Sequence, residues 1–227
     1  MKQGKKHLES SKLVDAMKLY TTADAVELLR KVSYAKFDGT VEIAVKTNAN
    51  PRFNDQMIRS TTILPHGTGK TKRVGVYVTA DKLEEAKASG ADVFGNEDLL
   101  NNIKAGKFDF DVLVTIPDAI RELAPVAKTL GPKGLMPSPK AGTVTTNLSQ
   151  TVEEIKKGKV EFRLDKTGNI HAAMGKLSFD DAKLKENIES FIKAILDNRP
   201  SGVKGKLIKK VVISSTMSPG IQLETME

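Results

Sequence analysis

The stretch RVGVYVTADKLEEAKASGADVFGNEDLLNNIKAGKFDFDVLVT, residues 73–115, decides the fold class of this chain. Three apolar runs alternate here with two helical patterns, one closed by Gly90 and the other capped by Asn96 and closed by Gly106. Glycine after a helical pattern is typical of a helix end. Strand, helix, strand, helix, strand is the order of βαβ units, so we expect a parallel sheet covered by helices.

The α/β pattern continues beyond this stretch. AIRELAPVAKTLG, residues 119–131, predicts a helix that Pro125 must kink or split. A loop rich in Pro, Gly and Lys follows, and residues 151–159 predict a last short helix. The α/β centre therefore extends over residues 67–159.

The segment before the centre has a different pattern. Residues 9–34 predict a helix whose main part is capped by Thr21 or Thr22. TVEIAVKT, residues 40–47, alternates apolar and polar residues as a half-buried strand does. Residues 48–70 lack a period and are rich in Asn, Pro and Gly, so they predict a long connection.

The segment after the centre again suggests antiparallel strands and a helix. KVEFRLD and NIHAAMGK, residues 159–165 and 169–176, predict two strands joined as a hairpin. Residues 178–198 are the clearest helix in the chain, with Ser178 as its expected cap, and residues 207–216 predict a final strand.

These patterns indicate two domains. Neither flank alone has enough apolar faces to close a core, so we expect residues 1–66 and 160–227 to form one discontinuous domain interrupted by residues 67–159. Independent flanking pieces are the alternative. The predicted fold class is α/β, with an outer split β-α-β sandwich-like domain and an inner three-layer Rossmann-like α/β domain. Two adjacent connections permit a hinge, for which Gly67, Gly69 and Gly158 are the candidates.

Composition restricts the function. The chain carries 36 basic and 28 acidic side chains, a net charge of +8, which favours a polyanionic partner. It contains no Cys, which excludes disulfides, thiolate metal sites and Cys nucleophiles and fits a reducing compartment. The basic N-terminus is not followed by the apolar region of a secretory signal, and no run approaches the roughly 18 apolar residues of a membrane span. We expect a cytoplasmic protein with no membrane partner.

Two short motifs suggest phosphate or nucleic-acid binding. GTGKT, residues 67–71, resembles a nucleotide-binding loop, but Leu64 stands where the full pattern needs Gly, and the segment precedes a strand. GPKG, residues 131–134, matches the G-x-x-G loop that clamps a nucleic-acid backbone, with Lys133 and Lys140 beside it. A flexible crossing and a rigid turn are the simpler interpretations of the two motifs.

The remaining polar residues do not predict a catalytic or metal site. His7, His66 and His171 have no ligand spacing, and Asp109 and Asp111 on one face of an expected strand are too few for metal or acid–base chemistry. We expect no metal, no cofactor and no enzymatic activity. TMSPG, residues 216–220, places one long apolar side chain among small ones after a strand, which suits packing on a ribose in RNA as well as an ordinary turn.

Five longer segments occur in an order that resembles one known family. They are AKFDGTVE at residues 35–42, LPHGTGK at 64–70, TLGPKGLMPSPKAGTV at 129–144, LDKTGNIHAAMGK at 164–176 and SSTMSPG at 214–220. Over essentially its whole length the chain resembles the L-one family of large-subunit ribosomal proteins.

The resemblance implies a split outer domain, an α/β inner domain and a two-strand hinge. It implies a structural constituent of the large ribosomal subunit that binds ribosomal RNA at the mobile stalk near the tRNA exit site. It also implies help in releasing deacylated tRNA and translational repression through the protein's own mRNA. The expected partners are therefore the ribosome, its large-subunit RNA, the protein's own mRNA and exit-site tRNA, with a cytoplasmic monomer off the ribosome.

The resemblance also implies which residues contact RNA. Thr and Glu side chains can bond 2′-hydroxyls, Lys can contact phosphate, and Phe or Met can cover a sugar or base. The implied contacts in the outer domain are Lys36, Phe37, Thr40, Glu42, Lys166, His171, Thr216, Met217 and Gly220. Lys133 and Lys140 of the inner domain are expected to make a secondary contact.

The chain departs from the family pattern at two places. Ser218 follows the Thr-Met pair where the family usually has Gly, so its side chain must point away from RNA or weaken binding. The PRFND segment is less basic than the family's Arg-rich version, which weakens the case for a phosphate contact at Arg52.

The alternative function from another class is a nucleotide-binding α/β enzyme that uses GTGKT. We expect titration of the protein with ATP or GTP in a calorimeter to give no heat of binding, because the loop lacks a Gly and a following helix. Saturable heat with either nucleotide would restore the enzyme hypothesis.

Overall fold

A computed structural model describes residues 4–225 and groups them into two units. The outer unit contains the described residues up to Lys70 and from Val160 onward, and the inner unit is Thr71–Lys159. The strands are β1 (Thr40–Thr47), β2 (Arg59–Ile63), β3 (Val74–Tyr77), β4 (Val93–Gly95), β5 (Val112–Thr115), β6 (Lys159–Arg163), β7 (Asn169–Lys176), β8 (Ile208–Ser215) and β9 (Ile221–Leu223). The α-helices are α1 (Lys5–Ser11), α2 (Thr22–Val32), α3 (Leu83–Ala88), α4 (Glu97–Lys104), α5 (Ala127–Leu130), α6 (Leu148–Lys157) and α7 (Asp181–Asp197). Short 3-10 helices cover Asn54–Gln56, Ala80–Lys82, Ala119–Val126 and Pro139–Ala141.

The outer unit is built on a four-stranded antiparallel sheet in the order β7-β1-β8-β9. Val41, Ile43 and Val45 of β1 are buried, as the alternation in the sequence predicts. Helices α2 and α7 pack on each other and on the sheet, and their apolar stripes close an apolar core with these three residues, in which Phe162 and Phe191 also meet edge to face. Neither α2 nor α7 covers the opposite face of the sheet.

The predicted helix over residues 9–34 is wrong in its extent. Helix α1 ends at Ser11, and α2 begins only at Thr22, where Thr21 Oγ1 accepts the N–H of Asp24 at 3.2 Å. Between them Tyr20 donates its N–H to the carbonyl of Gln222 and joins the edge of the sheet. A backbone that pairs with a strand cannot also remain helical, so the single helix is split.

The predicted connection over residues 48–70 and the predicted hairpin are also corrected. Strand β2 lies within that connection and pairs with β6 in a separate two-stranded sheet. Strand β6 is therefore not the hairpin partner of β7, and only a bridge between Leu164 and Ile170 joins their ends. The pairing of β6 with β2 is not visible in the sequence. Turn residues such as Gly168 determine the turn itself, but they do not determine which strand β6 pairs with.

The inner unit is the predicted parallel α/β sheet, in the order β4-β3-β5. Helices α3 and α6 pack together, α4 packs with α5 and the 3-10 segment before it, and a single apolar core joins them to the strands. Pro125 lies in that 3-10 segment, which gives way to α5 at Ala127, so the split expected at this proline is confirmed.

Three expected polar roles differ in the structure. Ser178 does not cap α7, because its hydroxyl and its N–H both donate to the carboxylate of Asp38, and Asp180 is the residue at the helix start. Asn96 precedes α4 but makes no side-chain cap, since its Oδ1 accepts from the Tyr77 hydroxyl. Asp109 and Asp111 precede β5 rather than share a strand face, and Asp111 accepts the Arg73 N–H.

The segment that leads into the inner unit is fixed to the outer unit by Asn187. This fully buried side chain on α7 accepts the N–H of His66 and donates to the carbonyls of Gly67 and Met174. A Cβ on Gly69 would lie 2.9 Å from atoms of Lys176 and Phe179. The outer unit therefore extends to Lys70, beyond the boundary expected at residue 66.

We expect Asn187→Ala to lower the free energy of unfolding by about 2–4 kcal/mol, because one buried and two partly buried hydrogen bonds to the backbone are lost. Urea unfolding curves measure the loss. Asn198→Ala is the matched control: its exposed amide bonds only the carbonyl of Ala194, so its effect should stay within about 0.5 kcal/mol. Equal effects of the two substitutions would contradict this role of Asn187.

Candidate nucleic-acid interface

The candidate residues meet on the face of the sheet opposite α2 and α7, which we call the helix-free face because neither of these helices covers it. It is formed by Thr40, Glu42, Ala44 and Lys46 of β1 and their cross-strand partners. Residues paired directly across antiparallel strands point to the same side of the sheet. The partners on β7 are Lys176, Ala173, His171 and Asn169, and those on β8 include Ser214, Val212 and Lys210. The middle of this face carries small side chains, so an RNA backbone can approach it closely.

Three chain segments meet at one end of this face, which we call the loop end: residues 36–40, 176–178 and 216–220. Thr216 N–H donates to the carbonyl of Thr40 at 3.1 Å, and Thr40 N–H donates to Thr216 Oγ1 at 3.0 Å. Lys176 Nζ donates to Thr40 Oγ1 at 3.1 Å. The Asp38 carboxylate accepts two further hydrogen bonds from Ser178, which tie residues 176–178 to residues 36–40. Folding therefore aligns these segments before any ligand arrives.

This network gives Thr216 a structural role in addition to the RNA contact expected of it. Its Oγ1 already accepts the Thr40 N–H and lies 3.5 Å from the Thr40 carbonyl. Its hydroxyl joins two loops, so its first effect on a ligand is to position Thr40 and Met217.

Met217 has the backbone conformation that L-residues rarely adopt. Its φ is 72°, the only positive φ of a non-glycine residue in the part of the chain that the structure describes. Such a φ costs about 1–2 kcal/mol for a residue with a Cβ. The side chain is 59% exposed, and His7 Nδ1 of α1 lies 3.4 Å from the Met217 carbonyl oxygen. The turn holds an apolar side chain outward at a cost in backbone strain.

Ser218, which stands where the family usually has Gly, is accommodated by the turn itself. Its Oγ accepts the N–H of Ser215 at 2.8 Å, and its own N–H donates to the Ser215 carbonyl at 3.0 Å. The Ser218 hydroxyl therefore points into the protein and stabilises the turn that exposes the Met217 side chain.

Gly220 is required by packing within the protein. A Cβ at this position would lie 2.8 Å from Val212 Cγ1, closer than side chains tolerate. Close approach to RNA is therefore not needed to explain this glycine.

Phe37 and Glu42 face solvent beside the turn. The Phe37 ring is 55% exposed, on the loop that Asp38 and Thr40 anchor. Glu42 is exposed on the helix-free face one row below Thr40, and Lys36 is exposed next to Phe37. Apolar, acidic and basic groups are thus adjacent, as recognition of sugars, 2′-hydroxyls and phosphates requires.

Lys166 and His171 lie toward the other end of β7. The turn before β7 is held by Asp165, whose Oδ1 accepts the N–H groups of Thr167 and Asn169. Burial raises the pKa of Asp165, but these hydrogen bonds, the Thr167 hydroxyl and the charge of His171 together lower it to about 2. His171 is exposed on the helix-free face with Nε2 3.7 Å from Asp165, and Lys166 projects from the turn. The carboxylate keeps both basic groups in place.

Lys133 and Lys140 belong to the inner unit. The Lys133 Nζ lies 3.7 Å from the centre of the Phe108 ring, a cation–π contact, and Gly134 closes the turn at a φ of 71°. Lys140 is exposed on the 3-10 helix Pro139–Ala141. These two lysines lie in the inner unit, whereas all the other candidate residues lie in the outer unit.

Reasoning from sequence missed Lys176, Asp38 and α1 at this interface. Lys176 ends the segment LDKTGNIHAAMGK, but an extra residue in β7, Met174, shifts the register between Val41 and Glu42 and hides the pairing of Lys176 with Thr40. Helix α1 brings exposed Lys5 and Lys6 to the chain near Met217. Long-range contacts of this kind leave no periodic signal.

The competing chemistries find no support in the structure. The GTGKT segment continues into β3 without opening a helix, so it lacks the geometry of a phosphate-binding loop. In residues 4–225 no group of three or more His, Asp or Glu side chains could hold a metal ion. None of the helices described is long and apolar enough to cross a membrane.

Comparison with known proteins identifies a family for this chain. The family described as "Ribosomal protein L1p/L10e family" matches residues 29–219. The large ribosomal subunit protein uL1 of Thermosipho africanus is 54% identical over 224 residues, which cover 98% of this chain and 97% of that protein.

The strained turn predicts an unusual order of stability. We expect Met217→Gly to be more stable than Met217→Ala by about 1 kcal/mol, because only glycine adopts a positive φ without strain. Thermal unfolding of both variants measures the difference. At Phe37, whose φ is not positive, glycine should be no more stable than alanine. The same order at both positions would contradict the strain at Met217.

Proposed function

Since the chain belongs to the ribosomal protein L1p/L10e family, we propose that it is a structural constituent of the large ribosomal subunit and binds ribosomal RNA through its outer unit. The observation that carries the proposal is the loop end, where exposed Phe37 and Met217 stand on a hydrogen-bonded scaffold next to Glu42. Membership of this family makes it a ribosomal protein and not an enzyme.

The proposed RNA site combines two kinds of contact. Phe37 and Met217 supply apolar surface for a ribose or base, and Thr40 and Glu42 supply groups for 2′-hydroxyls. Lys36, Lys166 and His171 supply positive charge for phosphates, and Thr216 and Gly220 shape the turn. A rigid surface of this kind fits one folded RNA shape and loses little entropy on binding.

We further propose that this RNA is the mobile stalk near the tRNA exit site, which the family resemblance implies. A messenger RNA that presents the same shape would occupy the same surface, so translational repression would arise by competition between the two RNAs. Release of deacylated tRNA would follow from movement of the stalk with the protein on it.

The inner unit has a supporting part in this proposal. Its Lys133 and Lys140 offer a secondary RNA contact. The hinge is proposed at the two crossings, where Lys72 Nζ donates to the Lys159 carbonyl and Gly158 has a φ of 110°. Gly67 and Gly69 also have positive φ values, but both pack in the outer unit. Their proposed part in the hinge is therefore to direct the chain as it leaves the outer unit.

The test is binding to a stalk fragment of large-subunit ribosomal RNA. We expect Phe37→Ala and Met217→Ala each to weaken binding by about 1–3 kcal/mol, at low and high salt alike, because both remove apolar contacts. Phe94→Ala is the matched control, since this ring is also exposed, at 40%, but lies in the inner unit. Lys133→Ala should weaken binding less than either outer variant. If binding vanishes at high salt and is equally strong for all variants, the protein attracts RNA only through its positive charge, and the proposed site is wrong.

A further inference from the structure

The end of the helix-free face opposite the loop end carries lysines on two neighbouring strands. Lys46 of β1 pairs directly with Lys210 of β8, and the register then shifts, so that Thr47 pairs with Ile208 and Lys209 is left over. Ile208 and Val211 are both buried, although regular alternation would put residues three apart on opposite faces. The bulge therefore turns Lys209 and Lys210 outward together, beside Lys46. We call Lys46, Lys209 and Lys210 the lysine end.

Within residues 4–225 no carboxylate makes an ion pair with this cluster. Among the residues that the structure describes, none of the three lysines makes an ion pair or a side-chain hydrogen bond. The carboxylate at the adjoining turn, Asp165, is occupied by backbone N–H groups and faces His171. Like charges directly opposite across two strands destabilise a sheet. The three exposed amino groups are therefore available to a negatively charged ligand.

Neighbouring segments add basic groups to the same end. The turn that carries Lys166 lies against Thr47, whose N–H and Oγ1 both donate to the Gly168 carbonyl. The loop that carries exposed Lys204 is tied to Asn48, whose side chain donates to the Lys204 carbonyl at 3.4 Å. The positive charge therefore continues around the end of the sheet.

The chemistry of the cluster fits phosphates better than a protein partner. Lysine binds phosphate as a point charge, and the three side chains offer no fixed fork geometry for carboxylates. A protein interface would need a large apolar anchor at its centre. The row next to the cluster instead carries Ala44 and its partners His171 and Val212, and the following row carries Glu42 with Ala173 and Ser214, so no large apolar side chain stands there.

We propose that Lys46, Lys209 and Lys210 bind the phosphate backbone of the same folded RNA that the loop end recognises. This inference rests on the proposed function and extends its site. Thr40 and Lys46 are six residues apart on one strand, which places the two ends of the face about 20 Å from each other. The RNA thus lies along β1, read by shape at the loop end and held by charge at the lysine end.

The experiment measures binding of the stalk fragment from about 0.1 M to about 1 M salt. Each lost phosphate contact reduces the slope of log K against log salt by about 0.9. We therefore expect Lys46→Ala and Lys210→Ala each to weaken binding about eightfold at the low salt concentration and hardly at all at the high one. Phe37→Ala should weaken binding equally at both.

Charge-reversed variants provide the matched control. Lys210→Glu and Lys193→Glu change the net charge equally, but Lys193 lies exposed on α7, on the other side of the outer unit. We expect only Lys210→Glu to reduce binding strongly. The thermal midpoint of Lys210→Ala should equal or exceed that of the unmodified protein, because repulsion from Lys46 is relieved, which separates lost contacts from lost folding.

The outcomes separate the two proposals. If Lys210→Glu and Lys193→Glu lose equal amounts of binding affinity, or if the alanine variants keep the salt slope of the unmodified protein, the proposal for the lysine end is wrong. The proposal for the loop end would not be affected. No binding of the unmodified protein to the stalk fragment would overturn the proposed function and this site with it.

Discussion

The outer unit depends on the position of one strand, β1. This strand precedes the inner unit in the chain, yet both of its neighbours in the sheet, β7 and β8, follow it. Its buried face supplies Val41, Ile43 and Val45 to the core, and its other face supplies Glu42 and Lys46 to the surface. A slip of one residue in either ladder would turn those charges into the core, so the core and the interface are fixed by the same register.

The interface concentrates features that do not stabilise the free protein. Met217 has a strained φ, Phe37 leaves more than half of its ring in solvent, and Lys46 faces Lys210. Each of these costs free energy in the absence of a ligand. The apolar core beneath the sheet compensates for them, and it does so without any help from the exposed face. The proposed recognition and the stability of the fold are therefore assigned to opposite sides of one sheet.

Local patterns in the sequence predicted what local physics determines. The α/β order of the centre, the alternation in β1 and the split at Pro125 follow from periodicity and proline chemistry, and the structure contains them. The sequence did not reveal that β2 pairs with β6, that Ser178 bonds Asp38, or that bulges in β7 and β8 redirect side chains. Those features depend on residues more than a hundred positions apart or on one extra residue in a ladder. The RNA contacts came from family resemblance, and the structure adds how Thr216, Ser218 and Gly220 support their turn.

The interrupted outer unit also has a consequence for synthesis. When β1 leaves the ribosome, the strands that will flank it have not been made, and the whole inner unit must be translated first. At usual elongation rates β1 waits on the order of ten seconds with both edges unpaired. During that time an apolar edge would invite aggregation, and the alternating Glu42 and Lys46 act as charged gatekeepers against it. The same side chains that the finished protein presents at its surface thus protect the nascent chain.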